Sequence, residues 1–128
     1  SMSTNLDDTI AQKHVESLFT QIKNATIDPN QYFLLPYKNK INHLYDYSKN
    51  DRTLEKLFNR FTYVIKFNVE NSQTFQYKLY RVLSSELNES KSLENLRFED
   101  IELLKENTIS ISKLQHFLID LFYYGNLN

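Results

Sequence analysis

Three cations recur at a fixed spacing in the middle of this chain: Arg52, Lys56 and Arg60. Steps of four residues stack side chains on one face of a helix, so the three charges share a stripe opposite Leu54, Leu57 and Phe58. Lys49 precedes the stripe, Asn59 lies inside it and Lys66 follows it. Clustered guanidinium and ammonium groups recognise phosphate or carboxylate, the guanidinium as a planar two-pronged donor. The same pattern also describes the wet face of an ordinary charged helix, and Asp51 and Glu55 share the segment. A second grouping is acidic: Glu99, Asp100, Glu102 and Glu106. Neighbouring carboxylates can move protons in acid–base catalysis or hold Mg²⁺. They also make an acidic docking surface for a basic partner, or simply a solvated helix face. His14, His43 and His116 are too widely separated for a local metal motif. His14 and His116 fall among apolar helical positions, as histidines at the edge of a core do.

Other chemistries lack their residues. There is no cysteine, which removes disulfides, thiolate metal sites and cysteine nucleophiles. Gly125 is the only glycine, so the chain holds neither a glycine-rich phosphate loop nor a Gly-x-Ser-x-Gly elbow. The expectation is a protein that is not an enzyme and uses no metal or cofactor. No apolar run approaches the roughly 20 residues of a membrane span, and no leader pattern is visible. Ser1-Met2 reads as the scar of a cleaved tag, which makes residues 1–7 a disordered leader and the chain a fragment of a larger protein. A length of 128 residues with 41% apolar composition suits one domain, over 8–128, with its own core. Nine Tyr and nine Phe make that core aromatic, with the tyrosine hydroxyls expected to reach water or a partner at its edge. The net charge of −1 favours neither nucleic acid nor membrane, but its distribution is uneven. Residues 36–82 carry nine Lys or Arg against four acids, whereas residues 83–128 carry four against eight.

The elements that must position these charges follow from periodicity. Phe61, Tyr63, Ile65, Phe67 and Val69, then Phe75, Tyr77 and Leu79, alternate with polar residues around Asn71-Ser72-Gln73. A period of two with a short polar turn predicts a β-hairpin over 61–82. The stretch also fits a helical period through Leu54, Leu57, Phe58, Phe61, Val64 and Ile65, with a second helix through Phe75, Leu79, Val82, Leu83 and Leu87, so an all-α bundle stays open. Before the hairpin the spacing predicts a helix over 8–25, a turn at Asp28-Pro29-Asn30, a short edge strand over 31–35, and helices over 37–47 and 52–60. After it come a polar linker over 84–92, a helix over 92–106 with Leu93, Leu96, Ile101 and Leu104 inward, an alternating stretch over 108–112, and a last helix over 113–124 capped by Ser112. Gly125 follows that helix where a positive φ belongs.

The order helix, strand, helix, helix, hairpin over residues 8–82 resembles a winged-helix domain, whose hairpin is the wing. The turn at Asn71-Ser72-Gln73 departs from it in lacking a glycine. The expected architecture is therefore α+β and mostly helical, winged-helix-like over 8–82 with a helical extension over 92–125. The resemblance makes residues 52–60 the recognition helix and lets Asn59 read a base edge. It implies either duplex DNA binding or a protein–protein role in nuclear assemblies. The expected function is a non-catalytic interaction module of a larger intracellular, nuclear protein, with a protein partner and homo-oligomerisation as a further option. The alternatives are a duplex DNA-binding domain and an all-helical viral or host adaptor that binds partner helices. Lys49, Arg52, Lys56, Asn59, Arg60 and Lys66 are the expected contact residues for nucleic acid or partner. Glu99, Asp100, Glu102 and Glu106 form the expected acidic docking surface.

Overall fold

The computed structural model describes residues 6–35, 50, 52, 56, 60–87 and 93–127. The alternating apolar residues form the two central strands, β2 (Phe61–Asn68) and β3 (Thr74–Leu83), paired antiparallel from Phe61↔Leu83 to Asn68↔Gln76. Tyr63, Ile65 and Phe67 on β2 share one face with Phe75, Tyr77 and Leu79 on β3, and all six are buried in the core. The turn manages without glycine because the Asn71 carboxamide oxygen organises it. It accepts the backbone N–H groups of Gln73 at 2.8 Å and Thr74 at 2.9 Å, and the Thr74 hydroxyl at 3.2 Å. An asparagine side chain that bonds to the backbone two residues on closes a turn locally. The short strand β1 (Phe33–Leu34) pairs with β2 at one edge, after an Asp28-Pro29-Asn30 turn in which Asn30 N–H donates to the Asp28 carboxylate at 2.9 Å.

The fourth strand is the main departure from the sequence reading. The expected helix over 92–106 does not form. Two short 3₁₀ turns, Leu93–Asn95 and Phe98–Asp100, lead into strand β4 (Ile101–Ser110), which pairs antiparallel with β3. Leucine, glutamate and lysine favour a helix intrinsically, but propensity is weak against a long partner edge, and the outer edge of β3 would otherwise be unpaired. A register shift explains why the apolar spacing misled. The partner of Leu79 is Lys105 and that of Tyr80 is Leu103, so Leu104 is an extra residue on β4. This bulge turns Leu104 onto the core while Leu103 stays on the opposite face. Leu104 fits the helical stripe because the bulge breaks the period of two, while Ile101, opposite Val82, lies on the other face of the sheet and Leu93 and Leu96 precede the strand.

Two helices cover one face of the sheet. Helix α1 (Leu6–Lys23) buries Val15, Leu18 and Ile22, and helix α2 (Leu114–Tyr124) buries Leu114, Phe117, Leu118, Leu121 and Phe122. Both match the expected helices to within a few residues. The cap of the last helix differs, because Ser112 does not cap it. A 3₁₀ turn, Ile111–Lys113, precedes α2, and Ser110 accepts the Ser112 N–H. Gly125 takes the expected left-handed conformation at φ 64, donating its N–H to the Leu121 carbonyl. At the end of α1 the corresponding position is Ala25, at φ 55, with Thr26 N–H donating to Gln21 carbonyl and Ala25 N–H to Ile22 carbonyl. That is a Schellman closure made without glycine, at the steric cost of a Cβ in the left-handed region.

The sheet order is β1-β2-β3-β4, entirely antiparallel. The protein is therefore α+β with a four-stranded sheet as its backbone; it is neither mostly helical nor an all-α bundle. The hairpin is not a projecting wing, because β3 is paired on both sides and lies in the middle of the sheet. The expected helical extension over 92–125 contains the ten-residue strand β4, for the reason given above. The expected helix over 37–47 lies outside the described residues, as do most of those over 52–60.

The packing of α2 makes a paired prediction. The Phe117 ring sits 5.5 Å from Phe75 and 5.0 Å from Tyr77, centroid to centroid. Phe117→Ala should cost about 3–5 kcal/mol in a urea melt, since it opens a cavity beneath the helix. Tyr77 behaves differently. Contrary to the expectation for a core-edge tyrosine, its hydroxyl is buried with no hydrogen-bond partner among the described residues. Tyr77→Phe should leave the melting midpoint unchanged or raise it, because it deletes an unsatisfied donor and keeps the ring.

Candidate functional site

Arg52, Lys56 and Arg60 are each helical and exposed, and none of them pairs with a carboxylate among the described residues. The Arg60 guanidinium lies 5.3 Å from the Phe61 ring, and Arg60 immediately precedes β2. Lys49 and Asn59 lie outside the described residues. Lys66 is not part of the stripe: strand alternation puts it on the sheet face away from α1 and α2, with its ammonium 4.9 Å from the Tyr32 ring. On that face Val64 and Val82 are fully buried, while Leu34 and Leu103 remain about half exposed.

The acidic group does not assemble into one surface. Glu99 and Asp100 sit in the 3₁₀ turn before β4, both next to Arg97, at 3.4 Å and 3.7 Å. Glu102 accepts a charge-assisted hydrogen bond from Arg81 Nε at 2.7 Å. The Arg81 guanidinium also lies 4.3 Å from the Phe61 ring, so it is held from two sides. Glu106 approaches Lys78 at 4.0 Å across the β3–β4 pair, on the face opposite to Glu102. Exposed pairs of this kind contribute little to stability, roughly 0–1 kcal/mol each. Their consequence is electrostatic: each expected acid already has a basic neighbour. Arg97 could be seen in the local sequence, but Lys78 and Arg81 become neighbours only through strand pairing.

The sequence reading missed an open strand edge. No strand among the described residues pairs with the outer edge of β4, and the side chains of Glu102, Leu103, Lys105, Glu106, Asn107, Thr108 and Ser110 are all exposed. Beside this edge lies an open groove of about 550 Å³ with Ile109 and Phe117 as its apolar part and Lys113, His116, Asp120 and Asn126 around them. The Phe117 ring of α2 packs over β3, and the partly buried Ile109 of β4 forms the other apolar wall of the groove. At the start of β4, Phe98 is 90% exposed and Leu103 46% exposed. Unpaired strand edges are templates for another strand, and a bare phenylalanine ring beside one is an anchor for a partner. The alternation at 108–112 was the available signal, but an edge can be recognised only once the strand order is known.

Tyr32 and Tyr80 meet edge to face at 5.6 Å on the second sheet face. Burial pushes both phenols up, and Tyr32 and Glu106 push Tyr80 further, so both stay protonated donors. Among the described residues no group of three or more His, Asp or Glu could hold a metal ion, and no helix is long and apolar enough to cross a membrane.

His14 stacks on Phe122 at 5.6 Å and 11°, joining α1 to α2, and burial lowers its pKa from the usual 6.5. The unfolded chain then binds this proton more readily than the folded one. Stability should be level above about pH 7 and fall as the pH drops through the unfolded value near 6.5. The melting temperature followed from pH 7.5 to pH 5.5, roughly the histidine range, should show this fall, and His14→Gln should flatten it.

Comparison with protein-family models, with curated proteins and with solved structures finds no match for this chain.

Proposed function

We propose that this protein is a non-catalytic protein–protein interaction module that accepts an extended segment of its partner along the outer edge of β4. The observation that carries the reading is the ten-residue edge strand lying open beside the Ile109–Phe117 groove. Strand addition supplies affinity through main-chain hydrogen bonds and specificity through pockets for alternate side chains, and this arrangement has both parts. The bulge at Leu104 interrupts the edge, and Lys105 and Glu106 discourage indiscriminate pairing, which leaves residues 105–110 as the regular stretch for a selective partner. Peptides selected from a random displayed library against the whole chain should shift the amide resonances of residues 105–120 in a ¹⁵N correlation spectrum. Shifts confined to Arg52, Lys56 and Arg60 would instead place the interface on the basic stripe.

A second reading, duplex binding, is favoured by one observation: Arg52, Lys56 and Arg60 are helical and exposed and have no acidic partner among the described residues, whereas the acids of residues 99–106 have basic neighbours. Under it, the log of the affinity should fall with log salt at a slope of about −0.9 for each phosphate neutralised. Replacing all three cations with Glu should abolish binding and leave the melting temperature unchanged, because the three side chains are exposed. Equal binding by the triple variant would rule this reading out.

A further inference from the structure

We infer that the segment docking on β4 is acidic and apolar on its groove-facing side, with a carboxylate and an apolar side chain four positions apart. The inference rests on the strand-addition reading and names the partner's chemistry. It comes from the balance of charges that are still unpaired around the site. On β4 and the turn before it, Glu99 and Asp100 sit with Arg97, Glu102 with Arg81, and Glu106 with Lys78. Lys105 and Lys113 have no such partner among the described residues. Lys105 is opposite Leu79 and Ile109 is opposite Phe75, so both lie on the face of the sheet that carries the groove. Lys113 lines the groove at the start of α2. Among the described residues Asp120 is the one carboxylate lining it, and it offsets Lys113. The positive charge left without a partner on this face of the edge is therefore that of Lys105.

Register then sets the pattern. In an added antiparallel strand, every second side chain faces the groove. A residue opposite Ile109 meets the apolar Ile109–Phe117 part, and the residue four positions later stands opposite Lys105. An apolar residue followed four places on by Asp or Glu fills both, with a small polar residue opposite Asn107 between them. A parallel strand would present the same two residues in reverse order. Like charges directly opposite destabilise a strand pair and opposite charges support it, so the lysine discriminates between partners. A basic strand is disfavoured by the same residue.

The test uses fluorescence anisotropy on the full chain with three labelled, threonine-rich peptides. Each carries isoleucine at one position and glutamate, glutamine or lysine four positions later, and each is made in both orders. The glutamate peptide should bind tightest and the lysine peptide weakest, with about three- to tenfold between glutamate and glutamine, as expected for one or two exposed ion pairs. Lys105→Glu, an exposed change, should invert the order and restore binding to the lysine peptide. N-methylation of alternate peptide nitrogens should abolish binding of the glutamate peptide, because it blocks the ladder. If all three peptides bind equally, the charge inference falls and strand addition stands. If N-methylation has no effect, or none of the three binds, strand addition itself falls. Sedimentation showing that the chain dimerises through β4, with Lys105→Glu breaking the dimer, would make a second copy the occupant and overturn the inference.

Discussion

The structure depends on one buried aromatic contact surface, where Phe117 of α2 meets Phe75 and Tyr77 of β3, with Phe67 of β2 packed behind Phe75. Large rings dominate core energetics, and each fully buried apolar side chain of this size contributes roughly 1.5–3 kcal/mol. The surface determines which face of the hairpin turns inward. It therefore determines that Lys66, Lys78 and Tyr80 face away from the helices, since neighbouring residues on a strand point to opposite sides. It also brings α1 alongside α2, where His14 stacks on Phe122.

A second constraint follows from the central position of β3. Its backbone donors and acceptors must be satisfied on both sides, and β4 satisfies the outer side in spite of a helix-favouring composition. Strand pairing then rearranges the charges. Glutamates that look like one acidic cluster along the chain are divided between the two sheet faces and placed against Lys78 and Arg81. Among the described residues, Arg52, Lys56, Arg60, Lys105 and Lys113 are exposed cations without an acidic partner, while Glu99, Asp100, Glu102 and Glu106 each have a basic one.

The same pairing that neutralises the acids creates the open edge. The chain places β4 last in the sheet and then crosses back through α2, whose Phe117 packs on β3 and shares the groove with Ile109 of β4. An edge strand with an apolar groove on one side and a bulge limiting its length is a restricted template: it can accept a strand of suitable register and charge, and it resists open-ended pairing.

Much of the frame was readable from residue order. The hairpin followed from Phe61 to Leu79 alternating with polar neighbours, the two long helices from their apolar stripes, and the end of α2 from Gly125, because these are local patterns with a period of two or 3.6. The helical backbone at Arg52, Lys56 and Arg60 was legible too, since it follows from local periodicity. What only the tertiary structure decided was everything that depends on a residue distant in sequence. Glu102 becomes paired because Arg81 is across a strand, Leu104 turns inward because a bulge shifts its register, and residues 101–110 become a strand because β3 has an edge to fill. The groove beside Ile109 exists for the same reason. Local propensity for residues 92–106 pointed to a helix, and non-local hydrogen bonding along β3 outweighed it.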